Sequence, residues 1–312
     1  MPQTTARPKV ILFGYDELLL ASLEFLASVD AEISSVVFPA TRTDPRAARV
    51  REIVSEQGHS TLEHPAGTAA LGFAEDLRTA SPDLFLVWSY PMILAEHLLE
   101  IPRLGAVNIH PGLLPEYRGV NGIRWALLNG EPHTGVTMHF MNTGIDTGDM
   151  ISRAAFPIEP ADDIRTLMQK SRLAGLHLLR NLWQHIAAGT AVRMPQEHAK
   201  AKYYSAAMEP PDIIDWSRPA LEIHNLVRAS APPFLGVHTH FGDQRVTIRR
   251  TETLPISSHF EPGTVAKIDD TQMHVATGDG IISVTAIELK GEPASFADLI
   301  AIGVRPGSKF SA

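Results

Sequence analysis

The chain has 312 residues, 44% of them hydrophobic and 20% charged, which allows one large domain or two ordinary ones with a sizeable core. It contains no cysteine, which excludes disulfides, thiolate metal sites and a cysteine nucleophile. The formal net charge of −8 argues against a general nucleic-acid surface. In the opening stretch, MPQTTARPKVILFGYDELLL, only VILF is continuously apolar, so no signal peptide is expected. No run approaches the roughly 20 apolar residues that span a bilayer, so the expectation is a cytoplasmic chain without a membrane partner.

KVILFG reads as a buried strand, and ELLLASLEFLAS (17–28) follows with helical apolar spacing. EISSVVF (32–38) predicts a strand, DPRAARVREIVSEQG (44–58) a helix, GFAEDLRTA (72–80) a helix and DLFLVWS (83–89) a strand. This alternation predicts an α/β fold with a parallel, doubly wound sheet, whose ligands lie beyond the carboxyl ends of the strands. GAVNIH (105–110) is a further strand and IRWALLNG (123–130) a helix. TGVTMHFM (134–141) is a strand expected to pair with MISRAAFPI (150–158). A long amphipathic helix covers 161–189, started by Asp162 or Asp163 and closed by Gly189. Beyond about residue 204 come a short helix, LEIHNLVRA, and the short strands RVTIRR, GTVAKI, MHVATGDG and IISVTAIEL. A catalytic domain over 1–204 and a smaller β-barrel domain over 205–312 are expected.

The unusual residues concentrate between 105 and 150. Asn108 and His110 are two apart on a strand, so they share a face, and Pro111-Gly112 ends that strand at its carboxyl edge. Asp146 lies in NTGIDTGDM, where flanking glycines allow close backbone approach. An amide donor, an imidazole and a carboxylate suit acyl transfer to an amine. Asn108 would donate to the oxyanion, His110 would hold or move a proton, and Asp146 would orient His110 or accept the amine proton. Each has a plainer reading singly: a structural histidine, a turn asparagine, an Asx-turn aspartate. The combination carries the argument. No metal ligand set is expected. His97, His139, His224, His238 and His240 show no ligand spacing, and Trp125, Trp183 and Trp216 read as core.

The segment resembles the N10-formyltetrahydrofolate-dependent formyltransferase family, of the methionyl-tRNA and sugar N-formyltransferase type. The resemblance rests on Asn108-Ile109-His110, Leu113-Leu114-Pro115, Tyr117-Arg118-Gly119 and Asp146-Thr147-Gly148, in that order, with 36 residues from His110 to Asp146. IDWSRPALEIHNLVRA (214–229), PGTV (262–265) and VATGDG (275–280) resemble the family's C-terminal domain. The resemblance implies a Rossmann-like catalytic domain, an OB-like C-terminal barrel and N10-formyltetrahydrofolate as one-carbon donor. It also implies a folate pocket at Trp88, Ser89, Tyr90, Met92, Ile93 and Leu94 and at Asn142, Thr143, Gly144 and Ile145, contacted largely through backbone groups. By the same resemblance, Tyr15, Leu113, Pro115, Tyr117 and Arg118 are expected near the acceptor. Gly112 stands where the family often has serine.

The expected acceptor is the primary amine of a small molecule, such as a nucleotide-linked amino sugar. The alternative is methionine on initiator tRNA, and residues 205–312, with nine Lys and Arg against thirteen Asp and Glu, lack the positive surface that would hold tRNA. Arg42, Arg46, Arg49 and Arg51 form a basic cluster, suited to a solvated helix face, a nucleotide phosphate or tRNA. A hydrolase releasing formate from the same donor is a further alternative. A dinucleotide site is excluded by the absence of G-x-G-x-x-G after the first strand.

Overall fold

VILF is buried throughout, as a strand covered on both faces requires. The computed structural model describes residues 7–29, 31–66 and 70–312. Residues 1–6, on which the signal-peptide expectation partly rests, lie outside them. By proximity of Cα atoms the chain divides into two compact units. One comprises Met1–Gly122, Gly135–Phe156 and Lys170–Tyr204. The other comprises Ile123–Thr134, Pro157–Gln169 and Ser205–Ala312.

The first half runs β1 (Lys9–Phe13), α1 (Glu17–Ser28), β2 (Glu32–Pro39), α2 (Pro45–Glu56), β3 (Thr61–His64), α3 (Ala70–Thr79), β4 (Leu84–Trp88), α4 (Glu96–Leu99) and β5 (Ala106–His110). The predicted helices start where their caps stand. Asp16 accepts from Leu18 N–H, and Asp44 accepts from Arg46 and Ala47 N–H ahead of Pro45. Then follow β6 (Arg118–Gly119), α5 (Gly122–Leu128), β7 (His133–Phe140), β8 (Met150–Pro157), α6 (Ile164–Ala187) and β9 (Tyr203–Tyr204). Of the two candidate caps, Asp163 accepts the Arg165 and Thr166 N–H groups that open α6.

The large sheet has the order β3-β2-β1-β4-β5-β7-β8. The five strands from β3 to β5 are parallel, and β7 is antiparallel to β5. The parallel, doubly wound sheet expected from the alternation is present, with an antiparallel extension at β7. No crossover helix carries the chain back after β5, so β7 begins at the edge where β5 ends. Pleating then sorts side chains by parity. Val10, Leu12, Val36, Phe38, Leu84, Leu86, Val107 and Ile109 pack with Leu23 and Leu26 of α1 and Leu179, Trp183 and Ile186 of α6. Ile11, Phe13, Val37, Phe85 and Val87 pack with Phe73 and Leu77 of α3 on the other face.

The second unit carries α7 (Ala220–Ala229), β10 (Val237–Phe241), β11 (Gln244–Leu254), β12 (Val265–Ile268), β13 (Met273–Ala276), β14 (Ile281–Leu289), β15 (Glu292–Ala294) and α8 (Phe296–Ala301). Its antiparallel sheet has the order β10-β11-β14-β13-β12, with β15 on β14. Ser311 exchanges hydrogen bonds with His240 on β10, and Phe310 N–H donates to Gly263 next to β12, so one segment occupies both sheet edges. Ile214, Trp216, Val246, Ile248, Val265, Val275, Ile282 and Val284 form its core. Among the described residues no helix is long and apolar enough to cross a membrane.

Gly175 of α6 lets the helix approach the sheet closely: a Cβ there would lie 2.4 Å from the buried Trp88 ring. Gly175→Ala should therefore cost about 1–3 kcal/mol through overpacking, read as a lower Tm in thermal unfolding. An unchanged or raised Tm would show that the helix shifts freely.

Candidate active site

Antiparallel pairing of β5 with β7 sets Asn108 opposite His139 and His110 opposite Thr137. All four lie at the carboxyl end of β5. Asn108 Nδ2 lies 3.1 Å from His139 Nε2, while His139 Nδ1 lies 2.8 Å from the Phe140 carbonyl. A carbonyl only accepts, so the His139 proton sits on Nδ1, and Nε2 accepts from Asn108. That bond uses one Asn108 N–H and leaves the second to donate elsewhere. Thr137 donates to the Gly112 carbonyl and accepts from Leu114 N–H, which ties the turn after β5 to β7.

His110 is buried, with Nε2 2.6 Å from the Tyr117 carbonyl and Nδ1 3.5 Å from Asp146 Oδ2. The Tyr117 carbonyl fixes a proton on Nε2, so Nδ1 is the titrating nitrogen and faces the carboxylate. Burial pushes the His110 pKa below its usual value, against the pull of Asp146 in the other direction. Gly112 makes this ring position available: a Cβ there would lie 2.8 Å from His110 Nε2 and 3.1 Å from the Tyr117 carbonyl.

Asp146 occupies the left-handed region at φ 51°, uncommon for a residue with a side chain. Its Oδ2 accepts from Gly119 N–H at 2.8 Å, and its Oδ1 lies 3.5 Å from His139 Nε2. Burial alone would raise its pKa. The charge that His110 and His139 carry when protonated, together with the Gly119 N–H, outweighs burial and holds the carboxyl well below the usual carboxylate range. An ionised carboxylate thus stands between two imidazoles and next to an amide, with 14% of its side chain exposed.

The structure brings Asn108, His110 and Asp146 together and adds His139, which spacing alone had set aside. Its signal was the alternation of TGVTMHFM once β7 is set antiparallel to β5. The residues expected around the donor divide. Ile93 and Ile145 are exposed apolar side chains, 72% and 52% accessible, one on each expected segment. Ser89 adopts φ 51° directly after β4. Met92 and Ser89 are half-buried, and Thr143 and Gly144 are exposed. Asn142 Oδ1 is engaged locally by Gly144 N–H and Thr147 Oγ1. Trp88 and Leu94 are buried in the two cores, so only their backbones remain for a ligand. The Tyr90 hydroxyl lies 3.0 Å from His64 Nδ1, and burial raises its pKa.

Of the residues expected near the acceptor, Tyr15 and Leu113 are half-buried, while Pro115 and Tyr117 are buried. Arg118 stands differently from these. It is 1% exposed, and its guanidinium is spent on Gln196, Tyr203 and His198, so it presents no charge to a ligand. The arginine cluster is largely neutralised: Arg46 pairs with Glu17, Arg49 with Glu52 and Arg51 with Glu63. Arg42 instead lies over the Tyr15 ring at 4.9 Å. His238 and His240 stand edge to face at 5.2 Å, and among the described residues no group of three or more side chains is set to hold a metal ion.

A formyl transferase family model matches residues 21–181, and a formyl transferase C-terminal domain model matches residues 211–303. A methionyl-tRNA formyltransferase of Acetivibrio thermocellus is 32% identical over 288 residues, covering 90% of this chain and 91% of that protein. One of Ruminiclostridium cellulolyticum is 30% identical over 287 residues, covering 90% and 91%. Among solved structures, the backbone is similar to an N-formyltransferase from Helicobacter canadensis, solved with folinic acid and dTDP-3-aminofucose. That match has a TM-score of 0.68 at 20% identity and covers 90% of this chain and 99% of the other.

If the His110 ring must lie where a Cβ at 112 would be, Gly112→Ala should reduce catalytic turnover about tenfold or more while the chain stays folded. Far-ultraviolet circular dichroism beside kcat checks this. Wild-type kcat in the alanine variant would show that the ring position is not required.

Proposed function

Because the chain belongs to the formyl transferase family, we propose that it moves a formyl group from N10-formyltetrahydrofolate to the primary amine of a small, nucleotide-linked molecule such as an amino sugar. The observation that carries the transfer chemistry is the convergence of Asn108, His110, His139 and an ionised Asp146 at one sheet edge. The exposed Ile93 and Ile145 offer apolar surface on the two segments expected to hold the folate rings.

The amine attacks the formyl carbon, and the carbonyl electron pair moves onto oxygen. Asn108 donates its free N–H to that oxyanion, and its bond to His139 keeps the amide aimed. Asp146 draws the proton from the attacking nitrogen, and His110 Nδ1, facing the carboxylate, shares it. The same pair returns the proton to the folate nitrogen as the bond from carbon to that nitrogen breaks. Burial keeps bulk water from this exchange and strengthens each charge contact.

Charge supports the small acceptor. The C-terminal 108 residues carry more acid than base, and three of the four clustered arginines are paired with glutamates. Arg42, resting on Tyr15, is the member of the cluster suited to an acceptor phosphate. The second reading is initiator tRNA, favoured by 30–32% identity to methionyl-tRNA formyltransferases over nine tenths of the chain.

Release of tetrahydrofolate from N10-formyltetrahydrofolate, measured with nucleotide-linked amino sugars, free amino acids and charged initiator tRNA, separates the readings. Turnover on an amino sugar supports the proposal. Turnover on tRNA alone replaces it, and release without any amine indicates a hydrolase. His110→Ala and Asp146→Asn should each lower transfer at least about a hundredfold with folding retained. Asn108→Ala should lose a comparable amount in kcat through the oxyanion. His139→Phe should lose less, about tenfold, because it acts through Asn108. Near-wild-type rates in the His110 or Asp146 variants would remove the mechanism.

A further inference from the structure

Asp146 holds a left-handed backbone, a conformation that contacts from outside its own loop can fix. Gln196, 50 residues downstream, makes such contacts. Its Nε2 donates to the Asp146 carbonyl at 2.8 Å and to the Gly148 carbonyl at 2.7 Å. Its Oε1 accepts from Arg118 Nε at 3.1 Å and Nη2 at 2.7 Å. The amide is buried and can be oriented in one way only, because a guanidinium only donates and carbonyls only accept. Arg118 completes its hydrogen bonds with Tyr203 Oη and His198 Nδ1, and among the described residues no carboxylate pairs with it. A buried cation facing neutral acceptors polarises them, which strengthens the Gln196 N–H donors. The next residue, Gly119, donates its N–H to the Asp146 carboxylate itself. Gly119 sits at φ 93°, with a would-be Cβ 2.1 Å from the Tyr204 carbonyl of β9, so β6 is held against β9 without room for a side chain.

We propose that Gln196, braced by Arg118, is a positioning residue that sets the Asp146 carboxylate in register with His110 and His139. The inference rests on the transfer mechanism above and deepens it: β6 grips the carboxylate through Gly119 and the loop backbone through Arg118 and Gln196.

Gln196→Glu is the discriminating change. It keeps size and gives Arg118 a charged partner, but it sets an acceptor against two carbonyls. Gln196→Met, which fills the volume without donors, guards against misfolding of the first variant. With N10-formyltetrahydrofolate and a dTDP-linked 3-amino sugar, each should lower kcat about ten- to a hundredfold while donor KM moves less than about threefold. Placed on Asp146→Asn, either should cost less than about twofold more, since the effect runs through Asp146. Equal losses in both backgrounds, or wild-type kcat, would overturn the proposal. Amide exchange gives a readout independent of the acceptor. Peptides spanning 142–149 should exchange about tenfold faster in both variants, with the rest of the first unit unchanged. Unchanged protection there would sink the brace. A wild-type chain with no turnover on any acceptor would instead refute the reaction, with exchange still deciding the brace.

Discussion

The site depends on a reversal of strand direction. β1 to β5 form the parallel sheet that alternating strands and helices dictate, and such a sheet offers loops at its carboxyl edge. β7 then runs back along β5, so a polar residue on one strand meets a polar residue on the other at fixed register. Asn108 and His139 face each other for this reason. The distance between strands, about 5 Å, sets the scale of the whole constellation and needs no adjustment by mobile loops.

The electrostatics follow from what surrounds the carboxylate. A buried carboxyl group left alone would hold its proton. Asp146 does not, because the Gly119 N–H donates to it at 2.8 Å and two imidazoles at 3.5 Å favour its charge whenever they are protonated. Burial meanwhile disfavours a second charge on His110. The result is a carboxylate and an imidazole side by side, with burial and Asp146 pulling the His110 proton in opposite directions, a pair between which a proton can pass with little solvent reorganisation. The apolar cores on both faces of the sheet keep this pair dry and rigid, since the residues flanking Asn108 and His110 in β5 are fully buried.

Much of this was legible in the sequence. The stretch 17–28 is helical over its whole predicted length because its apolar spacing is local, and of the two caps read for the long helix Asp163 is the one that accepts its opening N–H groups. The Asn108-His110 spacing could be read from the period of a strand. β7 was recognised as a strand, but its direction is a tertiary property, so His139 remained hidden. β3, α4, β6, β9, β15 and α8 were missed because they are two to six residues long and carry no periodic signal. The enclosure of Arg118 was not legible, because a positive residue beside a motif looks like a ligand contact. Nothing local announces that Gln196, Tyr203 and His198 will enclose it.

The hydrogen bonds around Asp146 also bear on how the chain is made. The residues with chemistry span 108 to 146, whereas the groups that hold the Asp146 loop lie at 196 and 203. A nascent chain therefore carries every reacting side chain some fifty residues before it can keep them in place. During synthesis from the N-terminus the sheet can pair early, yet Arg118 waits as an unpartnered charge until the stretch after α6 emerges. Closure of the site is thus a late event, coupled to docking of β9 on β6.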